Sequence, residues 1–321
     1  MTLSSDSLTL LLLCSQLGLN DDSIKPLTLR EWNPIVRKMQ AASLRPSDLL
    51  PQIEHDLRLK LDLDTQYATR ITQLLSRDIQ HELTRLASLG IFPLTRADSD
   101  YPEKYLQRLK DSAPAVLFYA GEKALLGQPG IAVVGSRHLD EAGQECAKFV
   151  GNACGLSGQV LYSGGARGVD TLSMESALEA RGTAVSVLAD SLEKQVKVQK
   201  EALRRGDLCL VTPYSPNAGF SVGAAMGRNR LIYCLADYAI VVASDAETGG
   251  TWAGATETLK NGWVPVFVLE HDQMPEGNKW LLQKGALAFP HPFKDKPVKL
   301  PEWLKKKATS LPSQPSQPNL F

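Results

Sequence analysis

Apolar residues gather in short, solid runs through the middle of the chain: Ile131-Ala132-Val133-Val134, Gln159-Val160-Leu161-Tyr162, and stretches near 184–188, 208–212, 238–243 and 264–269. Runs of this length without polar alternation are the pattern of parallel strands covered on both faces. Helix-like patterns separate most of them. The alternation predicts an α/β fold over residues 89–292, a Rossmann-like, doubly wound and mostly parallel sheet. Ahead of it, residues 1–88 carry leucines at helical spacing, punctuated by Pro26, Pro34, Pro46 and Pro51. That predicts a small helical N-terminal domain. The run Leu8–Leu13 is too short to span a bilayer, has no basic residue before it, and is expected to be the core face of a first helix. Residues 293–321 are rich in lysine and then, from Ala308 to Pro318, in Ser, Pro and Gln. A basic and then disordered tail is expected there.

Two of the strand-like runs end in glycine turns, Gly135-Ser136-Arg137 and Ser163-Gly164-Gly165-Ala166-Arg167-Gly168. Strand, glycine turn and helix together present backbone N–H groups to an anion, and glycine lets the chain approach it closely. Each turn also carries an arginine, whose fork matches phosphate oxygens. Some sixty residues on stands Arg228-Asn229-Arg230. Either turn alone is explained by helix initiation. The two turns with the triplet favour a phosphate site lined by Arg137, Arg167 and Arg230. Ligands of open α/β sheets bind at the carboxyl ends of the strands, where both turns lie.

Composition narrows the chemistry. The 321 residues are 43% hydrophobic and carry a formal net charge of zero, so a nucleic-acid site has to be a local basic patch. The five cysteines form no C-x-x-C pair and read as buried free thiols of a reducing cytoplasm. No Walker A sequence, no G-x-G-x-x-G fingerprint and no zinc-ligand spacing is present, and no cofactor or metal is expected. Gly219-Phe220-Ser221-Val222-Gly223 matches a serine-hydrolase string, but prolines precede it where a strand would be needed. Lys194, Lys197, Lys200 and Arg204 fall on one helical face. Most such stripes are solvated surface; Lys194 is the candidate for tracking a phosphate backbone.

Tyr101-Pro102, Ala132-Val133-Val134-Gly135-Ser136-Arg137, Ser163 to Asp170, Ala177-Leu178 and Arg228-Asn229-Arg230, in this order over roughly residues 85–270, resemble the DNA-processing protein A (DprA/Smf) family. The resemblance implies a non-catalytic, single-stranded DNA-binding protein that dimerises and hands its strand to a RecA-type recombinase. Such proteins serve recombination and natural transformation, and DprA-like chains also occur in antiphage and toxin–antitoxin settings. By position, Ser136 and Arg137 resemble the family's phosphate-gripping pair, and Ser163, Gly164 and Gly168 its second phosphate loop. Lys194 falls near a basic residue that follows the third strand, and Asn229 and Arg230 at the polar end of the pocket. The chain departs from the family at Ser173-Met174, where Ala-His is usual, and at Val211 to Tyr214, where Ser-Glu-x-Pro is usual. No winged-helix tail domain is evident.

A rival reading attaches to Glu247-Thr248-Gly249-Gly250-Thr251. Gly249, Gly250 and Thr251 are expected to form a third anion-facing turn. They also resemble the loop of lysine-decarboxylase-like nucleotide phosphoribohydrolases, which place a glutamate just after Gly-Thr. Here Trp252 follows, and the first acid is Glu257. The carboxylate is displaced, which argues for binding over hydrolysis. The chain ends Gln317-Pro318-Asn319-Leu320-Phe321, which resembles the peptide by which bacterial replication proteins dock on the sliding clamp. Gln317 would anchor in a polar notch while Leu320 and Phe321 fill an apolar pocket. Chance is the competing account of so short a motif. Single-stranded DNA, a recombinase, a clamp and a second copy of the chain are the expected partners; no membrane is.

Overall fold

The structure, a computed structural model, describes residues 3–19, 24–51 and 54–309. Five helices come first: α1 (Ser5–Cys14), α2 (Leu29–Ala41), α3 (Glu54–Leu61), α4 (Thr65–Leu75) and α5 (Gln80–Ser88). There follow β1 (Ile91–Thr95), α6 (Glu103–Leu109), β2 (Val116–Gly121), β3 (Gly130–Val134), α7 (Glu141–Ser157) and β4 (Val160–Ser163). Next are α8 (Val169–Glu179), β5 (Ala184–Val187), α9 (Leu192–Val198), α10 (Lys200–Arg205), β6 (Leu208–Thr212) and α11 (Val222–Leu235). The described chain closes with β7 (Tyr238–Val241), α12 (Gly249–Asn261), β8 (Val266–Glu270), α13 (Glu276–Gln283), β9 (Leu287–Pro290) and α14 (Leu300–Thr309). All six strands expected from apolar runs are present, in an α/β fold with a mostly parallel, Rossmann-like sheet.

The chain divides into two compact units, one drawn from Met1–Gly127 and Val185–Leu235, the other from Gln128–Ala184 and Ala236–Phe321. In the first, the strands run β1-β2-β6-β5, and β1 and β2 pair antiparallel, as do β2 and β6. β1 is the outer strand, and Pro93 stands at its middle opposite Phe118. A central strand cannot accommodate a residue with no N–H to give the ladder; an outer one can. The helices before it belong to the same unit, with α1 packed on β1 and β2 and α5 on β1. Leu10 to Leu13 are all buried, so α1 is enclosed on several sides rather than along one face. Arg77 reaches under its carboxyl end, donating to the Leu17 carbonyl at 2.6 Å and also to that of Leu12. Burial lowers the Arg77 guanidinium to about 10.

In the second unit the order is β4-β3-β7-β8-β9, with every pair parallel. The carboxyl ends of these strands therefore point the same way, and the loops that follow β3, β4 and β7 emerge on one rim. The lysine-rich stretch expected to be a tail is folded as far as Thr309. Leu300 and Leu304 of α14 are buried, and Trp303 packs against Phe267, Phe289 and Phe293 at centroid distances of 5.8, 5.6 and 5.3 Å. Three apolar residues at helical spacing outweigh the lysines on either side of them, Lys299 and Lys305 to Lys307, which stay exposed. Gln317, Leu320 and Phe321 lie outside the described residues.

Candidate functional site

β3 leads directly into Gly135-Ser136-Arg137. The Ser136 amide donates to the Ala243 carbonyl at 2.9 Å, which fastens this turn to the chain leaving β7. The Ser136 hydroxyl accepts from the His138 amide at 3.2 Å. Ser136 is half-buried; Arg137 and His138 are exposed.

The second turn, after β4, lies against the first. Gly168 has φ +87° and ψ −126°, a conformation essentially reserved for glycine. A Cβ there would stand 2.6 Å from the Ser136 carbonyl oxygen and 2.8 Å from the Arg137 Cα. Gly135 is as tightly placed: a Cβ would meet a Val169 methyl at 2.4 Å. The two turns are thus one interlocked block: Gly168 meets the backbone of the first turn, and Gly135 meets the Val169 side chain that follows the second.

The two acids beside these turns accept from nearby backbone amides. Asp170, buried at the start of α8, accepts from the amides of Gly164 at 3.1 Å and Ala166 at 3.2 Å. Asp140 caps α7, accepting from Gly143 at 2.8 Å. Ser163 is buried and its hydroxyl donates to the Val133 carbonyl at 2.7 Å. Ser163 and Gly164, expected to face a phosphate, therefore brace the loop from within. The last residue of β4 points into the sheet, and the first loop amide is held by Asp170. Gly165 and Arg167 are exposed and Gly168 is half-buried.

The third turn opens α12. Gly249 is exposed, Gly250 and Thr251 are half-buried, and the Thr248 side chain makes no capping hydrogen bond. The loop between β7 and α12 is held by Asn278, a residue the sequence reading did not single out. Asn278 is fully buried on α13; its carbonyl oxygen accepts from the Ser244 amide at 2.9 Å, and its amide donates to the carbonyls of Val242 at 3.0 Å and Leu269 at 2.9 Å. The one signal for it in the sequence is a polar residue beside Gly277 in an otherwise ordinary helix start.

The remaining candidates belong to the first unit. Arg228, on α11, is buried and donates to the Val187 carbonyl at the end of β5 at 2.6 Å. Asn229 and Arg230 are half-buried, and the Arg230 Nε is buried with no hydrogen-bond partner. Burial raises the Tyr214 phenol above its ordinary value, while Arg228 and Arg230 pull it down, which puts all three side chains in one neighbourhood. Lys194 is exposed on α9, and the adjacent Glu193 is turned to Arg85 at 2.6 Å. Arg204, further along the lysine stripe, pairs with Glu201 at 3.0 Å. Among the described residues no group of three or more His, Cys, Asp or Glu is placed to hold a metal ion, and no helix is long and apolar enough to cross a membrane. Gly219 to Gly223 lie at the entry to α11, after a loop and not after a strand.

The model of the DNA recombination-mediator protein A family matches residues 93–294. The chain belongs to that family. It is 28% identical to DNA processing protein DprA of Streptococcus pneumoniae over 227 residues, which are 68% of this chain and 77% of that protein. It is also 28% identical to protein Smf of Escherichia coli over 207 residues. That match takes in 62% of this chain, which spans about half of Smf, 54% of its length. The solved structure of the S. pneumoniae DprA superposes with a TM-score of 0.67 at 21% identity, over 90% of this chain and 95% of that one. DNA processing protein A of Helicobacter pylori, a structure described for its single-stranded DNA binding mode, superposes with a TM-score of 0.56 at 25% identity, over 68% of this chain and 97% of that one. The departures from the recombination-mediator pattern lie largely inside: Ser173 and Met174 are buried on α8, and Thr212 donates to the Leu188 carbonyl at 3.1 Å.

Proposed function

We propose that this recombination-mediator chain binds single-stranded DNA through its phosphates and performs no turnover. The observation that carries the reading is the interlocked block of the first two turns. Ser136, Arg137, Gly165 and Arg167 lie on its outer side, while Asp170 accepts from amides of the second turn and Asp140 from the first turn of α7. A rim that offers a hydroxyl and two exposed guanidinium groups suits a phosphodiester backbone. Gly168, Gly249, Gly250 and Thr251 would extend that phosphate surface within the second unit. Lys194, Asn229 and Arg230 are the corresponding contacts of the first. The description of the H. pylori relative supports the same ligand.

Hydrolysis of a nucleotide is the less supported use of these loops. Glu257, the first acid after Gly250-Thr251, is half-buried about two helical turns into α12. A second copy of the chain, delivery to a RecA-type recombinase and docking on a sliding clamp extend the proposal to the whole protein.

Fluorescence anisotropy with a labelled oligo-dT and its duplex, at two salt concentrations, tests it. The single strand should bind more tightly, and affinity should fall steeply with salt. Arg137→Ala should weaken binding and reduce the salt slope by about one while leaving stability within ~0.5 kcal/mol. Salt-independent binding, or release of free base from nucleoside monophosphates, would overturn the reading.

A further inference from the structure

The first unit holds a cavity of about 580 Å³ between the β1–β2 pair and the helices α9 and α10. Its floor is Leu89, Phe92, Val196 and Leu203, all half-buried. The Phe92 ring leans on that of Tyr119, its partner across the strand pair, at 5.9 Å. Leu203 is seated by a glycine. Gly121, at the end of β2, has φ +91°, and a Cβ there would stand 2.2 Å from the Leu208 carbonyl oxygen and 2.6 Å from a Leu203 methyl. Any other residue would push α10 off the strand. Gly90 and Gly206 also line the cavity, and nothing lies within 4 Å of where a Cβ of either would go. At these two positions the wall is bare backbone.

The charges around this floor are mostly of one sign. Lys200, Arg204 and Arg205 line the cavity against one acid, Glu122. Glu122 is turned back on its own loop, accepting from the Ala124 amide at 3.0 Å. Lys200 is exposed and makes no ion pair among the described residues. Arg204 pairs with Glu201 at 3.0 Å and Arg205 with Asp207 at 2.6 Å, and neither acid lines the cavity. Exposed pairs of this kind hold weakly in water, so an incoming anion can share either guanidinium. Sites for small organic molecules are apolar hollows of roughly 300–1,000 Å³ with a few convergent polar groups. A cavity of roughly 150 Å³ takes one benzene ring, so this one has room for two or more rings, or for a chain of comparable bulk. A cationic ligand would meet three like charges.

We propose that this cavity binds a small amphipathic organic anion, with its apolar body on Phe92, Val196 and Leu203 and its acid group at Lys200. The site shares no residue with the phosphate-binding turns and stands independently of the DNA reading. The apolar floor supplies most of the affinity, because burial of the ligand's body is the larger gain. Lys200 supplies the choice of charge.

The test is a fluorescence titration of the full chain with anilinonaphthalene sulfonate and with uncharged anilinonaphthalene, the same ring body without the sulfonate. Each should fill one saturable site, the sulfonate more tightly. Val196→Trp, which fills the floor, should abolish saturable binding of both. Lys200→Gln should weaken the sulfonate about three- to fivefold and leave the uncharged probe unchanged. Far-UV circular dichroism and a urea titration check that the variants fold. Lys200 is exposed, so its variant should fold as the parent does, and the two-probe comparison on it decides the matter even if Val196→Trp does not fold. Binding of both probes retained in a folded Val196→Trp would overturn the proposal. So would equal affinity for the two probes in the parent, an equal loss of both in Lys200→Gln, or a parent with no saturable site. None of these outcomes bears on the oligonucleotide measurements.

Discussion

Replacing Gly168 by alanine separates backbone interlocking from ordinary glycine preference. At φ +87° and ψ −126° an L residue is strained by about 1–3 kcal/mol. Its Cβ would also stand 2.6 Å from the Ser136 carbonyl oxygen and 2.8 Å from both the Cα and the carbonyl oxygen of Arg137. These are backbone atoms that cannot swing away, so a further ~1–3 kcal/mol of overpacking is expected. Together the loss should be about 2–6 kcal/mol. Gly158 is the control. It ends α7 with φ +67°, and nothing lies within 4 Å of where its Cβ would go. Gly158→Ala should cost only about 1–2 kcal/mol. Urea unfolding of the two variants beside the parent measures both numbers, and oligo-dT anisotropy measures their consequence. Gly168→Ala should also weaken DNA binding, because relief of the clash displaces Arg137; Gly158→Ala should not. Equal losses of stability in the two variants, with DNA binding intact in both, would show that the two turns do not depend on each other.

The arginine triplet should split by role: Arg228→Ala, which removes a buried donor to the Val187 carbonyl, should lower unfolding free energy by about 2–4 kcal/mol. Arg230→Ala should stay within about 1 kcal/mol of the parent while weakening oligonucleotide binding; the same urea and anisotropy measurements decide, and the reverse assignment would refute it. Glu31 should govern part of the acid stability of the helical region. Burial pushes its carboxyl up, but hydrogen bonds from Arg70, at 2.7 Å, and from Thr28 outweigh burial and hold it at about 2, below its ordinary 4.5. Its folded-state value is the lower one, so its contribution is present above about 4.5 and is lost as pH falls toward 2. Glu31→Gln should therefore be less stable than the parent by about 1–3 kcal/mol at neutral pH, and the gap should close on acidification; a gap independent of pH would refute the assignment.

The elements legible in the sequence are those that sit in strand–turn–helix units. β3 and β4 announce themselves by an apolar run and a glycine turn. β5 through β8 are apolar runs buried on both faces. β1 is interrupted by Pro93, whereas β2 is itself an apolar run, Val116 to Ala120, that ends in Gly121 at φ +91° and pairs antiparallel on both sides. β9 is four residues long and only its phenylalanine is buried. In α14 the lysines dominate the composition, and only the spacing of Leu300, Trp303 and Leu304 marks the buried face. Within the site, the turns and the arginines were visible, but the direction of single groups was not. Ser163 faces inward because it is the last residue of a strand buried on both faces. The Gly164 amide is satisfied by Asp170, six residues later in the chain. Arg228 and Arg230 differ by two positions, which on a helix is more than half a turn, and that separates a buried tie to the end of β5 from a half-buried side chain.

Pro93 has a consequence for crowding. Chains that gather on one polymer meet at high local concentration, and an unpaired outer strand is then a template for joining one sheet to the next. A proline in the middle of β1 offers an incoming strand no donor and puts a rigid ring where a ladder would have to run unbroken. The outer strand of the first unit is thereby protected against fibre-like stacking, and the substitution to watch for insolubility is Pro93→Val, which would restore the missing rung at a position outside the proposed phosphate-binding turns.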